Sequence, residues 1–276
     1  MTEYVQEQLQ NFLQQATEAA LEGGKILKKH WGKLQHIRNK VDSGDLVTEA
    51  DHESEAAVIG FLEEQFPDHG FLGEESGLQA SRSADFLWAI DPLDGTTNYT
   101  HSYPTVAVSI GLLYRGSPIV GVVYNPITDE LFQAAKGLGA MLNHQPIHTS
   151  TVATLNKSLL GTGFAYDRQR NPDTNYAEFC HITHISQGVR RAGAAALDLA
   201  YVAAGRLDGY WEHGIKIWDM AAGVIIVEEA GGKVSDYNQQ PLDINSGRIV
   251  ATNGLIHDAL CKEILEVKTK INRLPF

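Results

Sequence analysis

The pattern that most constrains this chain is a run of short strands between Phe86 and His148, each closed by tight-turn residues. Phe86 to Ile90 is continuously apolar. Val106 to Tyr114 ends at Arg115-Gly116-Ser117-Pro118, and Ile119 to Tyr124 ends at Asn125-Pro126-Ile127-Thr128-Asp129. Glu130 to Ala135 then ends at Lys136-Gly137-Leu138-Gly139, and Ala140 to Leu142 begins another strand. Connections this short join neighbouring antiparallel strands, so the segment predicts a largely antiparallel meander.

Helical periodicity precedes the meander. Val5, Leu9, Phe12, Leu13, Ala16, Ala20 and Leu27 recur at spacings of three and four, predicting a helix that ends near Gly23-Gly24 or slightly beyond. A second helix is predicted from Asp51 to Phe66, with Ala56, Ile59 and Leu62 inward. Between them, Lys40-Val41-Asp42-Ser43-Gly44-Asp45 reads as a mobile, solvated loop. After residue 148 the texture alternates. Predicted strands at 158–163, 207–211, 232–235 and 248–251 interleave with helices at 175–187, 194–204, 218–230 and 256–269, which indicates α/β layering. With no repeat or long linker, residues 1–276 read as one unit. A soft seam near 148 divides an α+β half, 1–148, from an α/β half, 149–276.

A net charge of −12 offers no basic surplus to displace counterions, which argues against a nucleic-acid partner. Cys180 and Cys261 form no CxxC pair, so neither a disulfide framework nor a thiolate zinc site is expected. The N-terminus lacks a signal-peptide pattern, and no apolar run approaches the roughly 18 residues a membrane span needs. A soluble, cytoplasmic protein without a membrane partner is the expectation.

The first strand of the meander carries the chemistry. It delivers Asp91 and Asp94 three residues apart, then Gly95-Thr96-Thr97-Asn98, whose backbone N–H groups are free to meet an anion. Gly73-Glu74-Glu75-Ser76-Gly77 follows another apolar pair, Phe71-Leu72, and only one of its two adjacent acids can enter a site unless a cation holds both. Asp219 stands at the start of an Ala- and Gly-rich helix, where by itself it reads as an N-cap. Together Glu74, Asp91, Asp94 and Asp219 offer hard oxygen donors that suit Mg²⁺ or Mn²⁺ rather than zinc. Two such ions can activate a water and stabilise a leaving oxygen. No P-loop, Gly-x-Ser-x-Gly elbow or nucleophilic cysteine loop is present. His181 and His184 read as bland helix-surface residues, and Arg190-Arg191 as a solvated basic pair.

Four segments in order resemble the inositol monophosphatase family of lithium-sensitive, magnesium-dependent phosphatases. They are Asp45-Leu46-Val47-Thr48-Glu49-Ala50-Asp51, Gly73-Glu74-Glu75-Ser76, Asp91-Pro92-Leu93-Asp94-Gly95-Thr96-Thr97-Asn98, and Trp218-Asp219-Met220-Ala221-Ala222-Gly223. The resemblance implies a layered αβαβα sandwich, of α+β and α/β character, with an antiparallel N-terminal sheet and a smaller mixed C-terminal sheet. It implies two or three Mg²⁺ ions, with Mn²⁺ as a substitute, held by Glu74, Asp91, the Leu93 carbonyl, Asp94 and Asp219. Gly95 and Thr96 cradle the phosphate by that analogy, while Thr96, Asp51 and Glu74 orient the attacking water, and Lys40 approaches the phosphate region. Glu212, Gly193 and Ala195 match positions that meet a polyol. The family is usually homodimeric. The implied reaction is hydrolysis of myo-inositol monophosphate, a small phosphorylated polyol. Fructose-1,6-bisphosphatase and histidinol-phosphatase activity are the alternatives within the fold, and a non-catalytic interaction protein is the alternative outside it. Gly161 to Asp167 does not keep every side chain that some relatives use for substrate.

Overall fold

The computed structural model describes residues 6–40, 45–79, 85–171 and 173–271. The first part of the chain runs α1 (Gln6–His30), β1 (Ile37–Asn39), β2 (Leu46–Thr48), α2 (Glu49–Gln65), β3 (Gly70–Gly73), β4 (Gly77–Gln79) and β5 (Phe86–Asp94). There follow α3 (Thr96–Thr100), β6 (Ala107–Tyr114), β7 (Ser117–Asn125), β8 (Glu130–Ala135), β9 (Ala140–Leu142) and β10 (Gln145–Pro146). The remainder is β11 (Leu159–Thr162), α4 (Tyr176–Ile185), β12 (Gly188–Arg190), α5 (Ala195–Ala203), β13 (Gly209–His213), α6 (Ile217–Glu229), β14 (Lys233–Ser235), β15 (Arg248–Thr252) and α7 (His257–Ile271). Residues 41–44 of the expected mobile loop lie outside the described residues. The strands on either side of it pair as the β1–β2 hairpin, with the Lys40 N–H donating to the Asp45 carbonyl at 2.7 Å.

The large sheet has the order β10-β9-β8-β7-β6-β5-β3-β4. From β10 to β5 it is antiparallel, as the hairpin turns require. The expectation of an antiparallel N-terminal sheet needs one correction: β3 joins β5 in parallel. The reason is topological. The β4 hairpin partner occupies one edge of β3, leaving the other edge open to β5. The second sheet, β12-β11-β13-β15-β14, is parallel on the β11 side and antiparallel at β15, so it is mixed as expected.

Helices α1 and α2 cover one face of the large sheet, α5 and α6 fill the space between the sheets, and α4 and α7 cover the outer face of the second. This is the five-layer αβαβα arrangement. Period-2 alternation sorts the strands between cores. Trp88 and Ile90 of β5 pack with Phe12 and Leu62 beneath α1 and α2, while Ala89 faces the middle layer with Ala221 and Ala222 of α6. Small residues bring that middle layer very close. A Cβ on Gly111 would stand 2.5 Å from the Ala221 Cβ and 2.8 Å from the Ala222 nitrogen, so α6 rests its backbone on β6. The Ser109 hydroxyl donates to the Trp218 carbonyl at 3.0 Å and fixes the start of α6 beside the end of β5.

Helix α1 does not stop at Gly23-Gly24 but continues to His30. A Cβ at Gly23 would lie 2.9 Å from the Ser54 Oγ, and one at Gly24 would collide with the Tyr124 ring. The pair serves close packing against α2 and β7 rather than termination. Lys28, Lys29 and His30 complete the last turn, where positive charge suits the helix dipole.

Candidate active site

The turn after β5 is built by a bulge. Asp91 pairs with Ser109 and Asp94 with Ala107, so two residues of β5 intervene where β6 has one. A bulge of this kind re-aims the side chains that follow it. Asp91 Oδ1 accepts from the Leu93 N–H at 2.9 Å, and the Ser54 hydroxyl of α2 donates to the Pro92 carbonyl at 3.0 Å. Gly95 then takes φ +91°, and a Cβ there would stand 2.9 Å from the Thr105 carbonyl oxygen, so the turn demands glycine twice over. Helix α3 begins at Thr96, which leaves its first N–H groups without intrahelical acceptors.

Each acid is set by a different element. Asp51 is the third residue of α2 and caps it from inside. Its Oδ2 accepts from the Thr48 N–H and hydroxyl at 2.8 and 2.6 Å, while Oδ1 accepts from the Thr96 hydroxyl at 3.0 Å. The Thr96 Oγ1 also lies 3.1 Å from the Leu93 carbonyl. Asp94 accepts from the Ala195 and Ala196 N–H groups at 3.1 and 2.8 Å, at the N-terminus of α5. Taken by itself Asp219 reads as an N-cap. It is instead the third residue of α6 and reaches back to accept from the Lys216 N–H at 2.6 Å. Glu74 and Glu75 both point toward Lys40, whose ammonium lies 2.7 and 2.5 Å from them, so a cation does hold the adjacent acids. Glu55 anchors their loop by accepting from the Glu75 and Ser76 N–H groups at 2.9 and 2.8 Å.

Burial first, and neighbouring carboxylates second, make Asp91, Asp94 and Asp219 reluctant to ionise. Asp94 is pushed up to about 7 and Asp219 to about 8, and Asp91 is raised well above the carboxylate range by burial, Glu74, Asp94 and Asp219. Asp51 rises to about 7 through burial, despite its Thr48 hydrogen bonds. Among the described residues no three acid, His or Cys side chains surround a common ion position. Asp91 instead has the carboxyl groups of Glu74, Asp94 and Asp219 close enough to oppose its ionisation. Clustered carboxylates need compensating positive charge or protons, and a divalent cation supplies that compensation without protons. The donor set, all carboxylate and carbonyl oxygen, fits a hard cation.

One cavity of about 230 Å³ is lined by Lys40, Glu74, Asp91, Leu93, Asp94, Gly95, Thr96, Gly193, Ala195, Glu212 and Asp219. Asp51 stands behind Thr96 rather than on the wall. Glu212, also on the cavity wall, is pushed up to about 7 by burial, and the Tyr210 hydroxyl donates to its Oε2. Gly163 abuts this carboxylate so closely that no Cβ fits. Asp198, Tyr166 and Arg191 also line the cavity and were missed. Asp198 lies in the apolar stretch Leu197 to Val202, where a lone acid reads as a helix-turn residue. Arg190 and Arg191 are both exposed, as the solvated-pair reading has it, but Arg191 also lines the cavity while Arg190 reaches back to the Val189 carbonyl. No helix among the described residues is long and apolar enough to cross a membrane.

Comparison with known proteins agrees with this architecture. The model of the inositol monophosphatase family matches residues 8–269. An inositol-1-monophosphatase of Synechocystis sp. is 58% identical over 93% of this chain and 89% of its own length. A Nus factor SuhB of Pseudomonas aeruginosa is 42% identical over 93% and 96%. The structure of an inositol monophosphatase from Anabaena (Nostoc) sp. superposes with a TM-score of 0.87 at 56% identity, covering 94% of this chain and 97% of that one. With the fold, the acid-lined cavity and near full-length likeness in agreement, the chain belongs to the inositol monophosphatase family, a family of phosphatases.

Proposed function

We propose that this chain is a Mg²⁺-dependent phosphomonoesterase that hydrolyses myo-inositol 1-phosphate to inositol and phosphate. The observation that carries the reading is the convergence of Glu74, Asp91, Asp94 and Asp219 with the Leu93-Gly95-Thr96 turn in one cavity that Glu212 also lines. Glu74, Asp91, Asp94, Asp219 and the Leu93 carbonyl are the groups that would hold two or three Mg²⁺ ions, with Mn²⁺ as a substitute. Ions bound there supply the charge that activates water and neutralises the departing alkoxide. The protein's own groups do the rest. Thr96 Oγ1, held by Asp51, orients the attacking water and passes a proton toward Asp51 Oδ1. The N–H groups of Gly95 and Thr96 cradle the phosphate. Lys40 attracts the anion, Glu212 accepts from substrate hydroxyls, and the Gly193 and Ala195 backbones border the ring. The same reading carries one cooperative unit, a homodimeric assembly, a cytoplasmic location and inhibition by Li⁺.

A substrate panel at fixed Mg²⁺ tests it: inositol 1-phosphate, fructose 1,6-bisphosphate, histidinol phosphate and adenosine 3′,5′-bisphosphate. Inositol 1-phosphate is expected to give the highest kcat/KM, and histidinol phosphate in first place would overturn the assignment. Asp94→Asn is expected to abolish phosphate release, and an unaltered rate would remove the metal-site reading. Fructose 1,6-bisphosphate is the second reading, favoured by Arg191 and Lys216 on the cavity wall, where a second phosphate would need positive charge.

A further inference from the structure

Asp198 is 2% exposed, yet it lines the cavity. Among the described residues no hydrogen bond reaches its carboxyl group, and the charges that act on it are Asp94, Glu212 and Arg191. Buried polar groups in native structures are almost always paired, because an unpaired one forfeits its hydration without replacement. The other buried acids have partners: Asp94 the first N–H groups of α5, Glu212 the Tyr210 hydroxyl, Asp219 the Lys216 N–H. Asp198 faces Gly161, where a Cβ would be 3.6 Å from its Cγ, so the strand opposite leaves it room and offers it no donor. What remains within reach is whatever fills the cavity.

We infer that Asp198 is a specificity-determining contact for the alcohol half of the substrate, completing with Glu212 a two-carboxyl floor that meets adjacent hydroxyl groups. The inference rests on the phosphatase reading and narrows its substrate class to polyhydroxylated phosphate esters. Asp198 sits one turn into α5, the helix whose first N–H groups hold Asp94, so one short segment carries both Asp198 and the groups that fix Asp94. A hydroxyl group both donates and accepts, and it suits a carboxyl group whose burial holds it well above the usual carboxylate range. A substrate lacking hydroxyl groups would leave Asp198 unpaired, which is the arrangement that discriminates most sharply between otherwise similar ligands.

The test compares Asp198→Ala and the isosteric Asp198→Asn with wild type on inositol 1-phosphate and on p-nitrophenyl phosphate, whose leaving group has no ring hydroxyls. The expected loss for Asp198→Ala is about 10- to 100-fold in kcat/KM on the inositol ester, carried mainly by KM. It should exceed the loss on p-nitrophenyl phosphate by at least about tenfold, with partial recovery in Asp198→Asn. Equal losses on both esters, or none on either, overturn the assignment. Should Asp198→Ala fail to fold, the ratio of the two esters in Asp198→Asn decides alone, since an amide in place of the acid still changes the hydroxyl contact. If wild type cleaves p-nitrophenyl phosphate but not inositol 1-phosphate, the inositol reading fails separately. The same ratio is then taken with the best sugar phosphate of the panel.

Discussion

Asp51→Asn separates catalysis from stability in opposite directions. In the wild-type protein one carboxylate oxygen accepts from Thr48 twice, and the other accepts from the Thr96 hydroxyl at 3.0 Å. An asparagine keeps its carbonyl oxygen toward Thr48, because turning the amide NH₂ there would face a backbone N–H. The NH₂ therefore faces Thr96. The Thr96 hydroxyl must then accept, and its own proton turns to the Leu93 carbonyl at 3.1 Å. A hydroxyl in that state cannot take a proton from water, and loss of general-base assistance lowers kcat by about 10²- to 10⁴-fold. Stability moves the other way. Asp51 is fully buried, with a folded pKa of about 7 raised from 3.8 mainly by desolvation. A raised carboxyl pKa means stability is fully present below the unfolded value and is lost as pH climbs through about 7. The ionised group then costs about 4 kcal/mol at pH 8. Replacing it removes that cost, while the weaker Thr48 contacts return about 1–2 kcal/mol. The net is about 2 kcal/mol in favour of Asp51→Asn, a shift of about 4–8 °C in Tm for a chain of this size or somewhat less. Initial rates on inositol 1-phosphate at pH 8 give kcat and KM, and melting is followed in the presence of a chelator so that bound cation does not mask the buried charge. A kcat within threefold of wild type would refute the proton path. A large fall in Tm would show that Asp51 acts only as a helix cap.

Two further outcomes follow from the fold. Gly111→Ala is expected to cost about 1–3 kcal/mol, the penalty of overpacking, because its Cβ meets both Ala221 and the backbone nitrogen of Ala222. Urea unfolding measures the loss, and Mg²⁺ affinity should weaken in parallel as α6 carries Asp219 away from β5. Unchanged affinity with reduced stability would break that link. His257, wholly enclosed between the Ser235 and Thr252 hydroxyls, is depressed to about 4 by burial. A depressed histidine pKa leaves stability intact above the unfolded value of about 6.5. It then costs about 3 kcal/mol as pH falls to 4. His69 titrates in the same direction, lowered to about 4 by burial, with its Nδ1 accepting from the Trp88 indole. Unfolding free energies at pH 7, 5 and 4 should therefore decline more shallowly in His257→Asn than in wild type.

The legible parts of the sequence were those set by local physics. Turn residues such as Arg115-Gly116 and Gly137-Leu138-Gly139 announced the hairpins, and those hairpins dictated the antiparallel order from β5 to β10. Asp91, Asp94 and Glu74 were legible because acids at the ends of apolar strands have no packing explanation. What could not be read were decisions made across the fold. Gly23 and Gly24 look like a helix stop, and only the positions of Ser54 and Tyr124 reveal why they are glycines. The β3–β5 pairing is parallel and has no hairpin to announce it. Asp198 and Arg191 join the cavity through α5 and the segment before it, and although they flank Gly193 and Ala195, neither side chain stands in a pattern that signals a site by itself. The second role of Asp51 was supplied by resemblance, because Thr96 lies 45 residues away.

The middle helical layer has a consequence during synthesis. The large sheet is complete at Pro146, but the helices that cover its inner face, α5 and α6, span residues 195–229. At translation speeds of about 5–20 residues per second, that face leaves the ribosome several seconds before its cover. In this interval Val123 and Phe132 lie open to the solvent and to neighbouring nascent chains. Leu87, Leu113 and Leu142 share that face, but its centre is lined by Ala89, Ala107, Gly111, Gly121 and Ala134, so the small residues that later admit α6 also limit how adhesive the waiting sheet is. Substituting larger apolar residues there would lower the yield of newly made protein even where the finished fold could accommodate them, and chaperone demand would rise in the same order.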